Sequence, residues 1–291
     1  MHRSSASWAA RTALASLLLL GTACGGDTAG EGASAPAPAD PPAAEAEAAP
    51  ATDSIDFHAA KSRGKTAMFV PAPSEFQAAL SSSNVDIDLA ALIGPGGTLE
   101  GRSKPVVALE TGRRIANVLL SAKGGSKDAV TGYMKAAREG LAALGAPDDL
   151  MADVDKVITD YAGGTISNAE LAPAMDLLNQ RVQTSLDNGA GDEISTLVRA
   201  GGWVQGVHLL SKGLAAAGQA GDGAALLHQP SVLTHFTEFI KASAAAKAQD
   251  PDVLAVITEL EALDEVAGKA TLNVADLNTV ATHTGNILAR F

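Results

Sequence analysis

The chain has 291 residues, one cysteine, only 3% aromatic residues and a net charge of −12. That acidic balance argues against nucleic acid as a partner and against adhesion to anionic lipid surfaces, and a single cysteine excludes an intramolecular disulfide. The 46% apolar content comes mostly from Ala and Leu rather than from β-branched and aromatic residues, which favours close-packed helices over sheet.

Residues 1–23 have the layout of a secretory signal. A basic start (His2, Arg3, Arg11) precedes an apolar middle from Ala13 to Leu20, too short to span a bilayer. Removing it takes the net charge to about −14, because Arg3 and Arg11 leave and no acid does. The tetrapeptide Gly21-Thr22-Ala23-Cys24 resembles the bacterial lipobox, although a leucine is commoner where Gly21 stands. That resemblance implies that Cys24 is acylated and becomes the first residue of a lipid-anchored protein. Ordinary secretion with cleavage after Ala23 is the alternative. A lone cysteine in an exported chain has no disulfide partner, and acylation accounts for its presence. Several acyl chains, as the lipobox implies, anchor stably where one would not. Gly25 in place of Asp points, by the same resemblance, to the outer membrane, with the domain in the periplasm or at the cell surface.

Residues 24–63 are rich in Ala, Pro and Glu, and Pro36, Pro38, Pro41, Pro42 and Pro50 interrupt any continuous helix. The segment cannot bury enough apolar surface to offset its ordering entropy, so a disordered tether is expected. As a flexible coil it would average about 35 Å end to end, and about 125 Å if fully polyproline-like.

Residues 64–291 are expected to form one all-α domain. Apolar residues recur at helical spacing, as in Val130, Met134, Ala137, Leu141 and Leu144. Leu171, Met175, Leu178, Val182 and Leu186 repeat the pattern, as do Val253, Ile257, Leu260 and Leu263. Start and stop signals bound these runs: Ser126 after Gly124-Gly125, Asp148 after Pro147, Ser167, Asp250-Pro251, Gly145 and Gly218. The pattern predicts helices near 74–82, 86–93, 104–122, 126–144, 148–161, 167–188, 192–217, 230–247, 251–268 and 274–290. About nine of these are expected to stand, with 86–93 the weakest. Short connections make neighbours antiparallel, so the expected architecture is an antiparallel helical bundle or stacked helical hairpins. A tetratricopeptide array does not fit, because the helix starts are unevenly spaced.

Candidate functional residues gather around Ala200-Gly201-Gly202-Trp203-Val204-Gln205-Gly206-Val207-His208. Three glycines inside a helix cost about 1 kcal/mol each relative to Ala, so a close approach must compensate, and Gly202 and Gly206, four apart on one face, are where another backbone is expected to approach or a ligand to find room. The structural reading is a tight crossing on the helix that carries Gly112, where Glu110, Arg113, Arg114 and Asn117 place polar groups beside a small residue. The functional reading is an inter-helix pocket lined by Trp203, Gln205 and His208 with Arg114 and Asn117. Pro71-Ala72-Pro73-Ser74-Glu75-Phe76, Leu109-Glu110-Thr111-Gly112 and Ala200-Gly201-Gly202-Trp203-Val204-Gln205-Gly206 together resemble a loosely defined set of uncharacterised helical bacterial lipoproteins. That resemblance implies a shared helical core and carries no activity.

Catalytic motifs are not found: there is no Gly-x-Ser-x-Gly, phosphate loop, dinucleotide fingerprint or His-Glu-x-x-His. His235 and Glu238 share a helix face with His228 one loop away, but no second carboxylate–histidine pair accompanies them, so no metal is expected. Asp148-Asp149 and Asp192-Glu193 fit first helical turns, where the dipole favours acids. The sequence thus leads to an envelope lipoprotein with no catalytic residues and no cofactor, held to the membrane by lipid and binding another envelope protein. A small-ligand-binding protein is the alternative, and an enzyme with an unfamiliar polar site the third reading.

Overall fold

Periodic apolar stripes appear as helices wherever the chain is described. The computed structural model describes residues 87–122, 124–189, 191–218, 227 and 229–291. The leader, Cys24, the tether and the helix expected at 74–82 lie outside the described residues. Eight helices longer than one turn are present among the described residues: α1 Lys104–Ser121, α2 Lys127–Leu144, α3 Asp148–Gly163, α4 Asn168–Gly189, α5 Asp192–Ala216, α6 Pro230–Ala242, α7 Pro251–Ala267 and α8 Val274–Leu288. The fold is all-helical, with no strand among the described residues, and the expected count of nine is off by one. Two local features explain the differences. Of the helix expected over 86–93, the described residues 87–93 yield only a 3-10 turn, Ala90–Leu92. The helix expected over 230–247 breaks at Ser243, which turns extended (ψ 155°); its hydroxyl accepts the Ala246 N–H (3.2 Å) and opens a single further turn, Ala244–Lys247.

The capping chemistry matches the residues at each end. Ser126 accepts the Ala129 N–H, Asp250 accepts from Asp252 and Val253 ahead of Pro251, and Asn273 forms a reciprocal capping box with Asp276. Gly145 and Gly164 close α2 and α3 in the left-handed conformation (φ 81° each).

α1 to α4 pack as one ring of four, each helix on its neighbour and α4 back on α1, and α5 to α8 pack as a second. α1 and α5 join the two rings along the most extensive helix pair of the fold. This explains a difference in pattern. α2, α3 and α6 carry one apolar stripe, whereas α1 is buried from Val106 to Ser121 without interruption, as expected of a helix surrounded by others.

Candidate functional site

The crossing of α1 on α5 is made by glycines. A Cβ on Gly112 would fall 1.9 Å from the Val198 carbonyl oxygen, and one on Gly201 would fall 1.9 Å from that of Leu109. The two backbones therefore touch directly, and the helix carrying Gly112 is the partner that the glycine run anticipated. The intimate contacts are those of Gly112 and Gly201; at Gly202 a Cβ would lie a looser 3.3 Å from the Gly112 oxygen.

Around this crossing the polar side chains form four separate groups. Asn117 of α1 and Gln205 of α5 are both 4% exposed and bond to each other, Gln205 Nε2 donating to Asn117 Oδ1 at 2.6 Å. On the far side of α5, Trp203 is buried, its indole N–H donating to Gln229 Oε1 (2.9 Å) and its ring lying 5.6 Å from Phe236. His208, half-buried, turns to α8, with Nδ1 3.1 Å from both the Ala281 carbonyl oxygen and Thr284 Oγ1. Burial holds the His208 imidazole below its ordinary pKa, the charge of Lys212 adds to this, the Ala281 carbonyl opposes it and Arg113 lowers it further.

Arg114 belongs to the fourth group. Glu110, 1% exposed, accepts from Arg113 Nη2 and Arg114 Nε at 2.9 Å each. Arg113 Nε lies 2.6 Å from Glu110 Oε2 but out of line, so the two atoms are ion-paired while neither has a hydrogen-bond partner. Arg114 also donates to the Ala136 carbonyl (2.9 Å) and lies 3.4 Å from the exposed Glu139, which brings the cluster to two guanidinia against two carboxylates. The strap before α1 completes it: Gly97 donates its N–H to Glu110 (3.1 Å) and accepts from Arg114 Nη2 (2.7 Å).

Of the five residues singled out in the sequence, the structure thus joins Asn117 to Gln205 and sends Arg114, His208 and Trp203 in three other directions. The gap beside Trp203, bounded by Val207, Leu227, Leu263 and Val280, measures about 20 Å³, room for a water rather than a metabolite. A second gap of about 30 Å³ lies in the first ring between Met134, Met175 and Ile158.

His235, beside Phe236 and Phe239, is also held below its ordinary pKa by burial, with Glu238 opposing and Arg199 adding. Arg199 forks onto Asp187 at 2.7 and 2.8 Å, and Asp187 also accepts from Ser195. His283 pairs with Glu259 at 2.7 Å. Among the described residues no group of three or more His, Cys, Asp or Glu is placed to hold a metal ion, and no helix is long and apolar enough to cross a membrane.

The strap Gly94-Pro95-Gly96-Gly97, Gln229 and Thr284 escaped the sequence reading. A glycine-proline run before a helix looks like a turn, and only the density of charge at Glu110, Arg113 and Arg114 inside an apolar helix hints that something polar covers them. Compared with protein-family models, curated proteins and solved structures, the chain matches none.

Proposed function

We propose that the chain is a lipid-anchored envelope protein whose helical body is a non-catalytic module that binds another envelope protein. The observation that carries this reading is the internal pairing of the polar groups at the central crossing. Asn117 and Gln205 engage each other, and Glu110, Arg113 and Arg114 engage one another and the strap. Side chains fixed in this way stiffen a scaffold that displays its outer surface, the use that a long tether suits. Lipid attachment at Cys24 and exposure in the periplasm or at the cell surface are part of the same proposal, supported by the leader and the residues before Cys24.

Two experiments test it. Labelled palmitate should enter the wild-type chain and not Cys24→Ser, which should leave the membrane fraction; equal labelling of both refutes the anchor. Crosslinking of the full chain in cells should trap one reproducible protein neighbour, and a survey that returns none overturns the binding role.

A further inference from the structure

The strap Ile93–Ser103 has no regular structure, and most of it faces solvent, yet buried side chains read its backbone. Glu110 accepts the Gly97 N–H (3.1 Å), Arg114 donates to the Gly97 carbonyl (2.7 Å) and Arg113 to the Pro95 carbonyl (3.4 Å). The walls exclude a side chain at Gly97 and crowd one at Gly96. A Cβ on Gly97 would lie 2.5 Å from the Phe291 backbone oxygen, and one on Gly96 would lie 3.2 Å from Arg113 Nη2. The floor is preorganised, because Glu110 is held by both guanidinia and Arg114 is fixed in turn by the Ala136 carbonyl. Main-chain capture of an extended segment, with specificity set by excluded side chains, is an established mode of peptide recognition.

We propose that the strap is an intramolecular pseudo-ligand, and that when it lifts the floor formed by Glu110, Arg113 and Arg114 captures an extended Gly-Gly segment of a partner protein. Two observations favour exchange. First, the cis occupant fits incompletely: Arg113 reaches the Pro95 carbonyl only at 3.4 Å, and Pro95 has no N–H to offer, so a segment that places its carbonyl closer gains over the strap. Second, most of the strap faces solvent, and it turns at its exposed end, where Gly101 adopts φ 71°. This inference rests on the partner-binding reading above and names the surface that reading requires.

The test uses the full chain in detergent and a fluorescent peptide with the strap sequence, Ile93 to Ser103. Gly97→Val cannot seat its own strap, so its floor is vacated. The peptide should bind this variant about tenfold more tightly than wild type, whose strap competes at an effective concentration in the millimolar range. A peptide carrying valine at the Gly97 position should bind neither protein. A Gly97→Val chain with wild-type helix content that takes up no more peptide than wild type overturns the proposal. Should that variant not fold, hydrogen exchange on the wild type decides: the Gly97 amide should exchange well ahead of the α1 amides, and exchange only with global unfolding overturns it. Failed peptide capture alongside a specific crosslinked neighbour would remove this surface and keep the partner-binding reading; peptide capture with no neighbour in cells would do the reverse.

Discussion

Replacing Gly201 by alanine sets two effects of opposite sign against each other. In a helix interior the change should stabilise by about 1 kcal/mol, through the propensity difference. At this position the added carbon would stand 1.9 Å from the Leu109 oxygen, 2.7 Å from its carbonyl carbon and 2.9 Å from its Cα. A carbon–oxygen contact normally sits near 3.3 Å, so α1 and α5 must separate by more than 1 Å locally. The neighbour is backbone inside a helix and has no rotamer to yield, which puts the overpacking cost at the upper end, about 3 kcal/mol. The net expectation is a loss of about 2 kcal/mol, or roughly 4–8 °C in Tm for a domain of this size. Urea unfolding followed by helical circular dichroism reads it directly. Gly132→Ala in α2, where a Cβ meets nothing within 4 Å, serves as the control and should gain up to about 1 kcal/mol. If Gly201→Ala proves as stable as wild type, the two central helices are not in backbone contact and the described crossing is wrong.

The charged cluster makes a similar prediction through a different term. Glu110→Ala leaves Arg113 and Arg114 buried without their shared carboxylate and should cost about 3–5 kcal/mol in urea unfolding. Two half-buried histidines predict the acid side of the stability curve. His208 and His235 both sit below their ordinary value of 6.5, chiefly through burial, so the unfolded chain takes up their protons more readily than the folded one. The stability they confer is complete above pH 6.5 and is lost as the pH falls through their lowered native values. The double variant His208→Gln/His235→Gln should therefore flatten the fall in urea midpoint just below pH 6.5, and an unchanged slope would refute the assignment.

Much of this fold can be read from spacing. Val130, Met134, Ala137, Leu141 and Leu144 all fall on the buried face of α2, and Leu171, Met175, Leu178, Val182 and Leu186 on that of α4. Their stripes needed only one neighbour to make sense. The caps at Ser126, Asp250 and Gly145 were equally local, since each acts within a turn of its own residue. α1 and α5 kept their secrets because a helix buried all round has no stripe to orient it. The sequence could say that the glycine run and Gly112 needed close company, but it pointed to Gly202 and Gly206 where Gly201 makes the contact, and it could not say how Asn117 would find Gln205 or why Trp203 would turn away to Gln229. The break at Ser243 depends on one hydroxyl choosing to cap a new turn, a decision made by packing. The strap over Arg113 and Arg114 was hidden for a related reason: recognition there is by backbone atoms, which the identity of glycine permits but does not announce.

Native mass spectrometry of the full chain, extracted from cells in mild detergent and recorded beside a denatured control, tests the proposed partner-binding role most directly. The account predicts an additional mass of protein size that is lost on denaturation. A reproducible adduct of metabolite size in its place would contradict it and would turn attention to the small gap beside Trp203 as a ligand site.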